Sequence, residues 1–386
     1  MDINQLLKLA IENSASDLHL KAGNFPMLRV HGILKPITQF KKLTSADTRS
    51  YAEAITNNHQ KQMLKDNLDV DLAYSVRGLG RFRGSIYYQR GTLAVVLRII
   101  PLILHNIQDL LLPKVLEKIA LEPRGLVLVT GTTGSGKSTS LAAMINHINK
   151  NRSVNIITIE DPIEFLHQDD MSTINQREVD TDVLSFARGL RASLREDPDV
   201  ILVGEMRDRE TIETAILAAE TGHLVLSTLH TLDAPETINR IVTSFPPHNQ
   251  NQVRLQLSFI LKAVISMRLI QRKDNKGRVP AVEVMLNTPF ISECIQKKEK
   301  IGEIINAISS GVSEYGMQTF DQSLYYLYSK GYITFEQGMQ YSTSPNDFKL
   351  RVLGIRSSGD IARDEMENSM GEIEQKLPSD KEDEKE

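Results

Sequence analysis

The segment Gly131–Ser138 reads GTTGSGKS, and its glycines, lysine and hydroxyl are spaced as in a loop that binds phosphate. It follows the apolar run LVLV and precedes SLAAMINHI, whose apolar residues recur at helical spacing. In a strand–loop–helix setting the backbone N–H groups point at phosphate oxygens, Lys137 reaches the outer phosphates and the Ser138 hydroxyl coordinates Mg²⁺. The sequence therefore predicts a site for a nucleoside triphosphate. The residues expected to contact it are Gly131, Thr132, Thr133, Gly134, Ser135, Gly136, Lys137, Ser138 and Thr139.

Carboxylates follow two further apolar runs. Glu160, Asp161 and Glu164 come after VNIITI, and Glu205 comes after VILV. Hydrolysis of a phosphoanhydride requires one carboxylate that orients water and another that holds the metal ion. Glu205 fits the metal-side role. One of Glu160, Asp161 and Glu164 fits the water-side role, and spacing alone leaves the three open.

Arginines mark a pair of strands nearer the start of the chain. The segment RFRGSIYYQRGTLAVVLRII alternates polar and apolar residues on either side of a turn at Arg90 and Gly91. Arg81 and Arg83 fall on one face of the first strand, and Arg98 lies on the second. Two interpretations are open: a solvated strand edge, or arginines that reach a phosphate across a subunit boundary.

The elements that position these residues predict an α/β protein. LVLV, VNIITI, VILV and HLVLS are nearly continuous apolar runs separated by helical patterns, which is typical of a mainly parallel sheet covered on both faces. We expect an α+β domain at 1–100, a linker with a helix at 101–124, and the α/β core at 125–288. A helical region at 289–355 and a disordered acidic tail at 356–386 follow. The carboxyl ends of parallel strands form one edge of a sheet, so the polar residues after each run are expected to converge on the phosphate loop.

The composition is that of an ordinary globular protein and excludes several other classes. The chain has 386 residues, 41% of them hydrophobic and 24% charged, as in ordinary globular proteins. A single cysteine, Cys294, excludes a disulfide framework and a four-cysteine zinc site. We find no apolar run of about 18 residues and no secretory signal, so the protein is expected to be cytoplasmic.

Charge is unevenly distributed. Residues 356–386 contain 11 acidic and 5 basic residues, a net charge of −6, which leaves +2 for the rest of a chain whose total is −4. This near-neutral body argues against a nucleic-acid translocase.

The motifs GTTGSGKST, TIEDPIEF, LREDPDVILVGEMRDRET and AAETGHLVLSTLHT, in this order, together with ASDLHL near the start of the chain, resemble the type IV pilus retraction ATPases. These form the PilT/PilU family of secretion motor ATPases, and the resemblance covers about residues 1–353. It implies a PAS-like N-terminal domain, a RecA-like ATPase core, and a homo-hexamer that binds ATP and Mg²⁺. It further implies work on an inner-membrane platform protein at the cytoplasmic face of the membrane, with membrane association only through partners and no nucleic acid.

The resemblance also assigns roles to individual residues. Glu164, the last carboxylate of EDPIE, matches the catalytic glutamate, and Glu205 matches the Walker B acid beside the metal. His223 and His230 match the His box. The arginines at family positions that can approach the nucleotide are Arg81, Arg83 and Arg98.

One motif departs from the family pattern. Where retraction motors carry a sequence like AIRNLIRE, this chain has FISECIQK, with Ser292 and Gln296 in place of the two arginines. The chain also continues past SPNDFKLRVLGI into the acidic tail, an ending closer to the accessory paralogue PilU than to PilT. We therefore expect an ATPase that assists a PilT-like motor. The alternative is an ATP-binding regulatory ring with little hydrolysis of its own.

Overall fold

The computed structural model describes residues 2–30, 32–100 and 105–354. The acidic tail predicted at 356–386 lies outside the described residues. Two compact units are present: one contains the residues up to 100 and Glu164–His167, and the other contains the remaining residues from His105 onward.

Within residues 2–30 and 32–100, the first unit is an antiparallel sheet with three helices. Its strands are β1 (Asp17–Lys21), β2 (Met27–Val30), β3 (Ile33–Pro36), β4 (Asp69–Val76), β5 (Gly80–Gln89) and β6 (Thr92–Ile99), in the spatial order β3-β2-β1-β6-β5-β4. Its helices are α1 (Ile3–Glu12), α2 (Ser45–Ile55) and α3 (Asn58–Asn67). Alternation along β5 buries Phe82 and Ile86 in an apolar core and leaves Arg83 on the opposite, exposed face.

The predicted turn between β5 and β6 is present. Arg90 and Gly91 both have positive φ values, +48° and +75°. Two consecutive residues of this kind make the tight hairpin turn whose twist matches that of the flanking strands. This turn sets the register in which Arg83 lies directly opposite Arg98.

The second unit is built on a seven-stranded sheet. Its strands are β7 (Gly125–Thr130), β8 (Asn155–Glu160), β9 (Thr173–Glu178), β10 (Val200–Val203), β11 (Leu224–Leu229), β12 (Leu261–Gln271) and β13 (Arg278–Leu286). Their spatial order is β13-β12-β7-β11-β10-β8-β9, and every neighbouring pair is parallel except β12 with β13.

Helices cover both faces of this sheet and continue beyond it. They are α4 (Val115–Ala120), α5 (Lys137–Asn151), α6 (Phe186–Ser193), α7 (Arg209–Glu220), α8 (Ala234–Thr243), α9 (Pro247–Ile260), α10 (Pro289–Gln296), α11 (Ile304–Ser310), α12 (Val312–Tyr315), α13 (Phe320–Ser329), α14 (Phe335–Tyr341) and α15 (Pro345–Val352), with a 3₁₀ helix at Lys298–Glu303. Within the described ranges, no helix combines the length and the apolar character that a bilayer crossing requires.

Side chains of β7 alternate between two apolar cores. Leu126 and Leu128 pack with α7, α8 and α9 on one face, whereas Val127 and Val129 pack with α4 and α5 on the other. Because both faces are buried, the strand reads as a continuous apolar run, as parallel strands do. The predicted α/β class is therefore confirmed.

The sequence interpretation missed part of the sheet. All four apolar runs became strands, but β9 and the β12–β13 pair were not foreseen. The sequence of β9, TINQRE, is polar because the strand lies at the edge of the sheet and its side chains are mostly half-buried or exposed. The β12–β13 pair extends the sheet beyond β7 and lies directly beside the phosphate loop.

Candidate active site

Glycines shape the loop between β7 and α5. Gly131 has a φ of +139°, and a Cβ atom added to it would lie 2.5 Å from the carbonyl oxygen of Met267. Gly136, the residue before α5, is left-handed with a φ of +97°. Residues with a Cβ atom rarely adopt such values. Both motif glycines are therefore required by the curl of the loop.

Lys137 points back into that curl. The residue is 8% exposed, and its Nζ donates hydrogen bonds to the carbonyl oxygens of Gly131 at 2.8 Å and Thr132 at 3.0 Å. The positive end of α5 begins at the same point, and Ser138 and Thr139 follow, half-buried, in the first helical turn. An ammonium group beside a helix N-terminus makes a strong anion site.

The carboxyl ends of β10 and β11 bring an acid and a histidine together. Glu205 Oε1 lies 3.3 Å from His230 Nε2, and Oε2 lies 2.8 Å from Arg207 Nε. The carboxylate is 17% exposed, whereas His230 is 43% exposed. A half-buried carboxylate held by two partners is oriented as a metal ligand or a proton acceptor needs to be.

Backbone contacts fix this pair. Thr228 Oγ1 donates to the Gly204 carbonyl oxygen at 2.7 Å, and the Met206 N–H donates to the Thr228 carbonyl oxygen at 3.2 Å. In the strand register, Thr130 at the end of β7 lies beside Leu229 of β11. The phosphate loop and His230 therefore leave the sheet from adjacent strands. The convergence expected at this edge is found for Glu205 and His230.

A cavity of about 320 Å³ opens beside Glu205 and His230. Arg207 and Arg240 line it, together with Glu236. The sequence interpretation did not single out these arginines, because nothing in their spacing separates them from solvated helix residues. Their guanidinium groups share the cavity with the carboxylates of Glu205 and Glu236, so its lining carries charges of both signs.

Among the three candidate carboxylates after β8, the structure separates one from the others. Glu160 is the last residue of the strand, and its Oε1 accepts hydrogen bonds from Thr158 Oγ1 at 2.7 Å and Gln176 Nε2 at 3.1 Å. These bonds hold Glu160 against the sheet. Asp161 and Glu164 are exposed in the loop that follows, and Glu164 groups with the first unit.

His223 lies at the other edge of the sheet. It precedes β11, and its carbonyl oxygen accepts the N–H of Gly125 at the start of β7. Its Nδ1 lies 2.9 Å from the Ala218 carbonyl oxygen and 3.2 Å from Thr221 Oγ1. The six residues of β11 separate it from His230. The structure therefore does not bring His223 to the phosphate loop of its own chain.

The predicted arginines share one face of the first unit. Arg83 and Arg98 are cross-strand partners, and Arg81 lies two residues before Arg83 on the same face. Arg98 Nε donates to Asp17 Oδ1 at 2.9 Å, although its side chain is 68% exposed. Arg83 lies 3.9 Å from Asp71. The exposed guanidinium groups of Arg83 and Arg98 remain accessible to a ligand.

Asp17 anchors that face. The carboxylate is 5% exposed, and Arg29 lies on its other side at 3.8 Å. Burial alone would raise the pKa of Asp17, but hydrogen bonds from Ser16 and Arg98 and the charge of Arg98 bring the pKa below its usual value. Asp17 therefore stays ionised and fixes the orientation of Arg98.

One further basic residue lies against the phosphate loop. Arg278, at the start of β13, has its Nη1 3.4 Å from the Gly134 carbonyl oxygen. Sequence reasoning missed it because β13 was not foreseen and Arg278 is far from the motif in the chain.

The donor set at this edge suits a magnesium ion carried by a nucleotide. Across residues 2–30, 32–100 and 105–354, no group of three or more His, Cys, Asp or Glu side chains could hold a metal by itself. Magnesium in nucleotide sites takes one or two protein oxygens and completes its shell with phosphates and water. Ser138 and Glu205 offer oxygen ligands of that kind.

Comparison with known proteins agrees with this geometry. The family model described as type II/IV secretion system protein matches residues 1–321. Type IV pilus ATPase PilU of Pseudomonas aeruginosa is 43% identical over 363 residues, covering 93% of this chain and 94% of that protein. The retraction ATPase PilT of the same organism is 44% identical over 348 residues, covering 90% of this chain and all of PilT.

Solved structures show the same relationship. A crystal structure of the pilus retraction motor PilT with bound ADP has a TM-score of 0.83 and 46% identity, covering 90% of this chain and 98% of the other. The Legionella pneumophila ATPase DotB has a TM-score of 0.75 at 27% identity, covering 92% and 96%. The chain thus belongs to the type II/IV secretion system protein family and is an ATPase. Within that family it is a member of the PilT/PilU group of pilus-associated ATPases.

Proposed function

We propose that this chain is a Mg²⁺-dependent ATPase that powers type IV pilus retraction, the removal of pilin subunits from the base of the fibre. One observation carries the proposal. The phosphate loop leaves the sheet beside the Glu205–His230 pair, in a chain similar over 90% of its length to an ADP-bound pilus retraction motor. A nucleotide held at this edge has its phosphates next to a metal-binding carboxylate.

Each group at the edge has a proposed task. Lys137 binds the outer phosphates, and Ser138 and Glu205 hold the metal. Bound Mg²⁺ supplies charge neutralisation at the transferred phosphoryl group. Glu164 orients the attacking water and accepts its proton. Its match to the family motif supports this choice over Asp161, and its exposure in the loop after β8 supports it over Glu160, which strand contacts hold.

The working assembly is proposed to be a homo-hexameric ring with nucleotide held between domains and neighbouring subunits. In such a ring, we propose that His223 and the exposed arginines of the first unit act on groups of a neighbouring subunit. The first domain, 1–100, is proposed to be PAS-like, and 125–288 a RecA-like core. The linker at 101–124, the helical region at 289–355 and the acidic tail at 356–386 complete the proposed domains, the tail lying outside the described residues.

The proposed partners are a PilT-like paralogue and the inner-membrane platform protein, at the cytoplasmic face of that membrane. The accessory role rests on FISECIQK. Ser292 Oγ donates to the Ser258 carbonyl oxygen at 2.9 Å, and Gln296 Nε2 donates to Ser258 Oγ at 3.1 Å. Both side chains thus bind the end of α9, and neither can make the bidentate contacts of an arginine. The same observation favours the second candidate, a regulatory ring with little hydrolysis of its own.

The test is to express this chain as the sole family member in a piliated cell and to follow fluorescently labelled pili. We expect no retraction alone, and added force when a PilT-like ring is present. Glu164→Gln separates the two candidates, because this variant should still bind ATP without hydrolysing it. An accessory motor then loses the added force, whereas a regulatory ring keeps it. The double variant Ser292→Arg with Gln296→Arg should gain some retraction of its own. Normal retraction by the unmodified chain alone would refute the accessory role.

A further inference from the structure

A row of buried polar side chains crosses three strands at the nucleotide edge. Thr130 Oγ1 donates to Ser266 Oγ at 2.9 Å, and Ser266 lies directly opposite Glu283 in the β12–β13 register. The three residues are 0%, 0% and 3% exposed. Thr130 is the residue before Gly131, so the row ends where the phosphate loop begins. Buried polar side chains are nearly always hydrogen-bonded, and each such bond fixes the position of its partners.

Glu283 also contacts the helix that follows the His230 segment. Its Oε1 accepts the backbone N–H of Ala234, the first residue of α8, at 3.1 Å. The same helix is tied to the residue after His230, since Thr231 Oγ1 lies 2.7 Å from Thr237 Oγ1. The Glu283 carboxylate therefore contacts the helix that is bonded to the segment after His230. Through Ser266, Glu283 is also linked to Thr130, the residue before the phosphate loop.

Whether Glu283 is ionised depends on its burial and on the charged groups around it. Asp233 and Asp321 repel the ionised form, and Arg268 attracts it. Arg268 is itself engaged, because its guanidinium lies 3.8 Å from the ring centroid of Phe320 and donates to the Tyr341 carbonyl oxygen. Burial is the largest effect and, against the lowering by the hydrogen bond from the Ala234 N–H and by the charge of Arg268, it raises the pKa of Glu283 to about 7.

We propose that Glu283 is a positioning residue for the ATPase site, whose carboxylate holds the first turn of α8, and with it His230, in the geometry that favours turnover. A carboxylate accepts a stronger hydrogen bond than a neutral carboxyl group and complements the positive end of a helix. Loss of its negative charge therefore loosens this turn. The proposal rests on the proposed role of His230 in the reaction.

Hydrogen exchange at the Ala234 amide tests the contact without nucleotide. In the wild-type chain, protection corrected for the intrinsic exchange rate should rise about five- to tenfold between pH 6 and pH 8, the scale of replacing a neutral by a charged acceptor. Glu283→Gln keeps the size of the side chain and should show the low-pH protection throughout. Glu220→Gln, an exposed carboxylate at the end of α7, is the matched control and should behave as wild type. Equal pH dependence of Ala234 protection in wild type and Glu283→Gln would overturn the proposal.

Turnover tests the consequence for catalysis. The ratio of kcat for wild type to kcat for Glu283→Gln removes the titration of nucleotide and of other groups. It should rise from near 1 at pH 6 to about 5–10 above pH 8, with its midpoint near pH 7 and KM nearly unchanged. A ratio that does not change with pH would contradict the positioning role. If wild-type chain hydrolysed no ATP, the proposed function would fail, and the exchange measurement would still decide whether Glu283 holds α8.

Discussion

Gly131→Ala gives a stability change whose size follows from the loop geometry. The new Cβ atom would lie 2.5 Å from the Met267 carbonyl oxygen, on a backbone with φ of +139°. Backbone strain of this kind costs about 1–3 kcal/mol, and overpacking adds about 1–3 kcal/mol. Gly134→Ala is the matched control in the same loop, because its φ is +79° and nothing lies within 4 Å of its Cβ position. Its cost should be only about 1–2 kcal/mol.

Calorimetry without nucleotide measures both variants. For a unit of this size about 1 kcal/mol shifts Tm by roughly 2–4 °C. We therefore expect Gly131→Ala to lower the Tm of the second unit by roughly 4–24 °C and Gly134→Ala by roughly 2–8 °C. Nucleotide binding should be weakened most by the first change. Equal losses of stability in the two variants would refute the reasoning that the Met267 backbone excludes a side chain at Gly131.

Three further outcomes are expected. Asp17→Asn should lower the free energy of unfolding of the first unit, measured by urea titration at pH 7, by about 1–3 kcal/mol. Because the pKa of Asp17 in the folded chain lies below 3.8, this stabilisation is present above pH 3.8. It should vanish as the pH falls through the folded pKa. The unfolded chain releases the Glu283 proton near pH 4.5, whereas the folded chain keeps it up to about pH 7. The free energy of unfolding of the wild type, relative to that of Glu283→Gln, should therefore fall by up to ~3 kcal/mol between pH 4.5 and pH 7. Above pH 7 the difference should stay constant. DNA should neither bind with sub-micromolar affinity at low salt nor stimulate turnover, which filter binding and an ATPase assay would check.

The residues whose role is local were the ones that the sequence could identify. The phosphate loop, its glycines and the apolar strands before and after it depend on short-range patterns, and these patterns predicted β7, β8, β10 and β11. Glu205 and His230 were placed at one edge because parallel strands end together. Such arguments need only the order of elements along the chain.

Residues whose roles depend on contacts with parts of the chain far away in the sequence were not predicted. The role of Arg278 depends on the β12–β13 pair, whose strands carry no helix between them and so do not continue the repeating pattern. Glu283 looks like an ordinary polar residue in VEVML, and only the packing of α8 against the sheet makes it a buried acceptor. His223 was assigned only by its match to a motif, and it precedes β11, at the end of that strand opposite the phosphate loop of its own chain. Its role in the reaction therefore stays a prediction.

We propose that the loop at Gly131–Ser138 binds ATP for hydrolysis with Glu164 as the base. Steady-state turnover and equilibrium binding of ATP, measured on the same preparations, test this assignment. Lys137→Ala should weaken binding and abolish turnover, because it removes the cation from the phosphate site. Glu164→Gln should bind ATP nearly as tightly as wild type and turn it over about 10² times more slowly or less, the scale of losing a general base. Wild-type turnover in Glu164→Gln would move the base to Asp161 or Glu160, and wild-type turnover in Lys137→Ala would contradict the claim altogether.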